Sequence, residues 1–324
     1  MERLILTSSS GVELGRAGRG DTVISFCFRF EWGPLPSPDE LAAYLGPRAS
    51  EQGDHWSVYV PRWAPGEKSR RDVALIEFCE AYDTIELWFD PHPRDQLHLI
   101  WLLDYFRSYP QIASKLVLRL VDFYFTGTRE EQLARYQVYD VKVTDAELET
   151  AGASWQAYRA PTPDACFDLL SSDLSSLPLF RPALVDLLEE LPSDVTGLGG
   201  TEMRLLEMIA RGYDHTNELF HFRSVRRRLL FGEYETGYLL EGLAHGAMPA
   251  VAGLDNELRA LSRDNYRDRH TAFLRSRYSL TEFGKAVVAH REDFSRHNRI
   301  DRWWGGTHLT NDHLWCWKPT LVKR

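Results

Sequence analysis

The densest run of residues able to do chemistry is Asp90, His92, Arg94, Asp95, Gln96 and His98, which closely follows an apolar stretch ending at Phe89. Asp and His side chains can ligate a metal or shuttle a proton. Both also have plainer uses, because Asp95 is a natural helix N-cap and His98 an ordinary helix residue. A second group, Ser8, Ser9, Ser10 and Gly11, follows the first apolar run. Free backbone N–H groups and a helix dipole at such a turn favour an anion, although capping and turn formation account for serines equally well. Gly15, Gly18 and Gly20 do not complete G-x-G-x-x-G, and no P-loop, G-x-S-x-G, H-E-x-x-H or D-x-D-x-D-G pattern occurs.

The most basic local feature is Arg223, Arg226, Arg227 and Arg228, and Arg226 to Arg228 are candidate nucleic-acid contacts. Arg263, Arg267, Arg269, Arg275 and Arg277 follow. Asp255, Glu257, Asp264 and Asp268 interrupt them, which reads as a solvated, salt-bridged surface. The tail from Asp301 carries Trp303, Trp304, Trp315 and Trp317, too much aromatic surface to leave in water, so it should fold back onto the body around the Gly305–Gly306 turn.

These groups need elements to hold them. Residues 3–7, 22–28, 84–89 and 115–121 read as strands, separated by helical patterns at 12–17, 39–45, 73–82 and 95–105. Strands alternating with helices predict a Rossmann-like α/β domain with a mostly parallel sheet, whose ligands bind beyond the carboxyl ends of the strands. If the first and third strands are near neighbours, Ser8, Ser9, Ser10, Asp90, His92, Asp95 and Gln96 line one cleft. From Thr144, a capping-box residue with Glu147, the pattern turns helical, punctuated by Pro178, Pro182 and Pro192. Three helices from Thr201, extended pieces at 248–251 and 278–280, and a helix opening at Thr281 give the order of a winged helix. The expected division is therefore an α/β domain over 1–142, a helical connecting region over 143–198, a winged-helix-like domain over 199–295 and a Trp-rich tail over 296–324.

Bulk properties bound the function. The chain of 324 residues carries net charge −9, unevenly spread. Residues 1–200 hold 18 basic against 31 acidic side chains, whereas residues 201–324 hold 20 against 16. The acidic front repels polyanions, and the mildly basic back tolerates nucleic acid without requiring it. Cys27, Cys79, Cys166 and Cys316 are scattered, without metal-binding spacing, and read as free thiols of a reducing, cytoplasmic setting. No apolar run approaches membrane-span length, and no membrane partner is expected.

Several strings resemble the bacterial family catalogued as domain of unknown function 1835. They are Leu87, Trp88 and Phe89; Asp95, Gln96 and Leu97 with Leu99, Leu102 and Leu103; Trp155, then Ala157 to Pro161; Leu177, Pro178 and Leu179; Gly197, Leu198, Thr201 and Glu202; and Leu280, Thr281 and Gly284. The tail from Asp301 to Trp317 is the most specific. The resemblance covers most of the chain, but the family brings no settled activity. Its members tend to carry acidic residues where this chain has Ser8 to Ser10, Phe28 and the Pro91–His92 pair, so any chemistry resting on those acids is absent here. The leading expectation is a non-catalytic or regulatory binding protein with a small anionic ligand site and a back half for protein or nucleic-acid contacts. An enzyme acting on a nucleotide-like or phosphorylated substrate, and a structural partner in a complex, are the alternatives. The sequence names no cofactor, metal or oligomeric state.

Overall fold

A computed structural model describes residues 3–48, 54–59, 72–221, 230–254, 271 and 275–324. The chain gathers into two compact units. One comprises Met1–Phe30, Pro34–Ala160 and Asp168–Leu184, and the other Glu31–Gly33, Pro161–Phe167 and Val185–Arg324. The border falls inside the segment read above as a helical connection.

The first unit is an α/β domain. Its elements are β1 (Arg3–Ser8), β2 (Thr22–Phe26), α1 (Pro38–Leu45), α2 (Leu75–Glu80), β3 (Thr84–Phe89), α3 (Pro93–Phe106), α4 (Pro110–Ala113), β4 (Leu116–Leu120), α5 (Glu130–Arg135), β5 (Tyr139–Lys142) and α6 (Asp145–Tyr158). The sheet runs in the order β2-β1-β3-β4-β5. The first four strands are parallel and β5 is antiparallel to β4. β1, β2 and β3 are almost wholly buried, which is why they read as continuous apolar runs. β5 escaped the sequence reading because it is a short edge strand whose Tyr139 lies in solvent. The segment after β1, read as a brief helix, is a 3-10 helix over Ser9–Leu14.

Ile5, Leu14, Val23, Trp88, Val121, Phe125 and Leu133 form one core cluster. An aromatic core joins Phe26, Phe28, Phe30 and Tyr44 to Trp101 on α3, and Phe30 to Trp155 on α6. α6 begins with the expected capping box, the Glu147 carboxylate accepting from the Thr144 backbone N–H at 2.7 Å. β3 also carries Glu86, which is buried. It takes two Arg119 N–H donors, at 2.6 and 3.1 Å, and the Trp88 indole N–H at 2.7 Å. Burial of such a carboxylate is tolerable because each donor is charged or well aligned.

After α7 (Asp164–Leu169) and α8 (Phe180–Leu188), the second unit contains α9 (Gly200–Ala210), α10 (Thr216–His221) and a further helix over Glu233–His245. Its two-residue strands β6 (Val251–Ala252) and β7 (Ser279–Leu280) pair antiparallel, and a last helix spans Glu282–Val288. Thr281 caps that helix through the Gly284 N–H at 3.0 Å. A glycine is required at 284, because a Cβ there would stand 2.0 Å from the Ala250 carbonyl oxygen. The tail forms two antiparallel ribbons, β8 (Asp301–Trp304) with β9 (Thr307–Thr310) and β10 (Trp315–Trp317) with β11 (Leu321–Lys323). Gly305, at φ 53°, makes the turn of the first.

The four tail tryptophans do not share one fate. Trp304 is 5% exposed and donates its indole N–H to the Leu187 carbonyl at 2.6 Å, whereas Trp303 is 37% exposed and stacks on His308. Strand alternation sends neighbouring side chains to opposite faces, which a count of tryptophans cannot reveal. No described helix is long and apolar enough to cross a membrane.

Candidate functional site

The strand order makes β1 and β3 adjacent, with Thr7 opposite Trp88, while their connections leave on opposite sides. This is the topological switch point of an open parallel sheet, where a crevice opens beyond the carboxyl ends. Ser8 ends β1 and Asp90 directly follows β3, so the two polar groups meet there. The Ser10 hydroxyl donates to the Asp95 carboxylate, at 2.9 Å to Oδ2 and 3.1 Å to Oδ1. Asp95 Oδ2 also accepts from the Asp90 backbone N–H at 3.2 Å. Ser8 caps the 3-10 helix through the Ser10 N–H at 3.1 Å.

Asp90 faces the other way. Its Oδ1 accepts from the His92 N–H at 2.8 Å, and its Oδ2 from the Phe125 N–H at 2.9 Å, which ties the loop after β4 to the loop after β3. Gln96 Nε2 donates to the Asp90 carbonyl at 2.8 Å. The result is a clasp holding three loops, with Asp90 and Asp95 each only 1% exposed. His92, rather than Asp95, is the N-cap of α3, its ring accepting from the Arg94 N–H at 3.2 Å. Asp95 stands in the first turn. Pro93 has no N–H, and the Asp95 and Gln96 N–H groups go to the His92 carbonyl, so the first turn of α3 has spent its donors.

Burial raises the pKa of both carboxyls. Asp95 is pushed up to about 6, with the Ser8, Asp90 and Ser10 hydrogen bonds opposing. Asp90 is raised well above the carboxylate range, first by burial and then by the Asp95 charge. His98 moves the opposite way, lowered to about 4 by burial. Its Nδ1 donates to the Arg94 carbonyl at 2.8 Å, while its Nε2 and Gln96 Oε1 are buried without a hydrogen-bond partner among the described residues. Phe30, Phe89 and Trp101 surround the imidazole.

The structure thus brings together Ser8, Ser10, Asp90, His92, Asp95 and Gln96 and leaves Ser9 exposed outside the clasp. The rim within reach of solvent consists of Ser9, half-buried His92 and Arg94, and Tyr124, whose ring meets His92 edge to face at 6.3 Å. The Arg94 charge acts on both Asp90 and Asp95. Tyr124 and the Phe125 amide had no signal in the sequence, since they lie after β4 and reach the site only through the strand order.

Elsewhere among the described residues, Asp214, His215 and Glu218 bring one potential metal-ligand atom each to within 4.8 Å of one another. They form the opening of α10, where the His215 carbonyl accepts from the Glu218 and Leu219 N–H groups, and Asp214 also pairs with Arg277 at 3.1 Å. Within it, His215 Nδ1 lies 2.5 Å from Asp214 Oδ1 and 3.6 Å from Glu218 Oε2. Arg226, Arg227 and Arg228 lie outside the described residues. No family model and no curated protein matches the chain.

Proposed function

We propose that this is a non-catalytic or regulatory binding protein whose α/β unit holds a small anionic ligand at the rim of the β1–β3 crevice. The observation that carries the reading is the sheet order β2-β1-β3-β4-β5, with the loops after β1 and β3 joined by the Ser10–Asp95 hydrogen bond. Ligands of such sheets sit where neighbouring connections diverge. Asp90 and Asp95 are committed inward, so the ligand is met by Ser9, His92 and Arg94 at the positive end of the α3 dipole. Isothermal titration with a panel of nucleotides and inorganic phosphate, with and without Mg²⁺, tests this. Binding that weakens in Ser9→Ala and Arg94→Ala supports it, and no binding by the intact chain rejects it.

One observation favours an enzyme instead. A carboxyl titrating at about 6, as Asp95 does, is poised for acid–base work on a nucleotide-like or phosphorylated substrate. Burial of both carboxyls weighs against it. Turnover of any panel member that Asp95→Asn abolishes would select this reading.

The second unit we read as a winged-helix-like module for protein or nucleic-acid contacts. Support comes from the succession of α9, α10 and Glu233–His245, followed by the β6–β7 pair and the Glu282–Val288 helix. Arg226, Arg227 and Arg228 are its candidate contacts, and membership of the family of unknown function 1835 belongs to the same proposal. Salt-dependent duplex DNA binding that is lost on replacing the three arginines by alanine is the expected result.

A further inference from the structure

Away from the sheet edge, the second unit gathers a set of metal-ligating side chains. Asp214, His215 and Glu218 each bring one potential ligand atom to within 4.8 Å of the others. Their spacing explains the meeting. Asp214 and His215 precede α10, and Glu218 stands in its first turn, three residues after His215, on the same side as the imidazole. His215 Nδ1 faces both carboxylates, 2.5 Å from Asp214 Oδ1 and 3.6 Å from Glu218 Oε2. Neither approach is a hydrogen bond, since Nδ1 and Glu218 Oε2 are both shut off from solvent with no hydrogen-bond partner among the described residues. Three atoms that carry lone pairs thus converge without an aligned donor between them, on side chains that are themselves only half-buried. The frame around them is pinned. The Tyr278 N–H donates to the Asp214 carbonyl at 2.7 Å, and the Tyr278 hydroxyl lies 2.5 Å from Thr216 Oγ1. Arg277 holds Asp214 by its other oxygen, Oδ2, at 3.1 Å, which leaves Oδ1 turned to the imidazole.

A neutral imidazole nitrogen set against two carboxylate oxygens is repelled by both, and a cation at their common point turns that repulsion into coordination. We propose that Asp214, His215 and Glu218 bind a divalent transition metal of the Zn²⁺ class. One imidazole nitrogen and two carboxylate oxygens suit such an ion, whereas Mg²⁺ and Ca²⁺ take oxygen ligands. Bonds of about 2.1 Å at tetrahedral angles put ligand atoms about 3.4 Å apart, so His215 and Glu218 already fit and Asp214 Oδ1 moves outward by roughly 1 Å. Water takes the fourth position. The site is independent of the one at the sheet edge. Isothermal titration of the chelator-treated full chain with ZnCl₂, against MgCl₂ and CaCl₂, tests it. Saturable binding of Zn²⁺ alone is expected, lost in His215→Ala and weakened roughly tenfold or more in Glu218→Gln, whose amide is a poor ligand. Zn²⁺ should also raise the melting temperature of the wild type and not that of His215→Ala. Melts without metal verify that both variants remain folded. No saturable Zn²⁺ heat, equal binding of Mg²⁺ or Ca²⁺, or unchanged Zn²⁺ affinity in the folded variants would overturn the proposal.

Discussion

The sheet edge of the first unit and the aromatic recess of the second both bury carboxylates, and they pair them with different donors. Asp90 and Asp95 turn their oxygens onto backbone N–H groups and a serine hydroxyl, so as hydrogen-bond acceptors they organise three loops and leave the rim to make contacts. In the recess, walled by Trp32, Phe231, Trp303 and Trp304, Glu190 takes the Thr201 hydroxyl and N–H, and Arg302 pairs with Glu202 beside the aromatic walls. A buried acid therefore marks a junction, and its donors say which segments it joins: backbone amides of neighbouring loops in the first unit, a helix start and a tail strand in the second.

The comparison breaks most readily at Trp304. Its ring is 5% exposed and hydrogen-bonded, so Trp304→Ala should destabilise by about 3–5 kcal/mol, the range for deleting a large buried aromatic. Trp303→Ala should cost under about 1 kcal/mol, since its ring is partly solvated. Urea denaturation of both variants checks this. Equal losses would mean that the recess wall is structural throughout.

The sheet edge is sharpened by pH. The folded pKa of Asp95 is raised, so the stability it contributes is complete below its unfolded value and is lost as pH climbs through about 6. His98 has a lowered folded pKa, so its contribution is present above the unfolded value of 6.5 and is lost as pH falls through about 4. The two oppose each other over the same window. Relative to wild type, Asp95→Asn should gain about 3 kcal/mol as pH rises from 4 to 7, and His98→Leu should gain about the same as pH falls from 7 to 4. Parallel stability–pH curves for wild type and either variant would mean that the group is not buried in solution.

Asp90 supplies a smaller contrast. Asp90→Ala leaves the His92 and Phe125 N–H groups without acceptors, at about 2–3 kcal/mol, whereas Asp90→Asn keeps one amide oxygen and avoids the buried charge. Thermal melts at neutral pH should rank alanine well below asparagine. The reverse order would show that the carboxylate charge itself holds the loops.

Much of this was legible in the sequence, for reasons that can be named. β1 and β3 announce themselves because strands buried on both faces need unbroken apolar runs, and Thr144 with Glu147 is legible because capping is local chemistry. The meeting of Ser10 with Asp95, 85 residues apart, was reachable only through the parallel-sheet rule. Three things were not legible. β5 is too short and exposed to carry a pattern, the Phe125 amide has no side-chain signature, and the direction in which Asp90 and Asp95 point depends on loop geometry. The recess was hidden more deeply, since Trp32, Phe231 and Trp303 are far apart in the chain and any of them reads as core.

The finest test lies within the serine turn. Ser9 and Ser10 are neighbours, but Ser10 donates to Asp95 and Ser9 lies in solvent. Ser10→Ala should cost about 1 kcal/mol, the net value of one such bond, and should move the Asp95 titration further upward, because that hydrogen bond favours its ionised form. Ser9→Ala should leave stability within about 0.5 kcal/mol and affect only anion binding at the rim. NMR titration of the Asp95 carboxyl, alongside melts of both variants, separates the two. If Ser9→Ala shifts that titration as much as Ser10→Ala does, the hydroxyls exchange places in solution and the division between an inward clasp and an outward rim fails at its narrowest point.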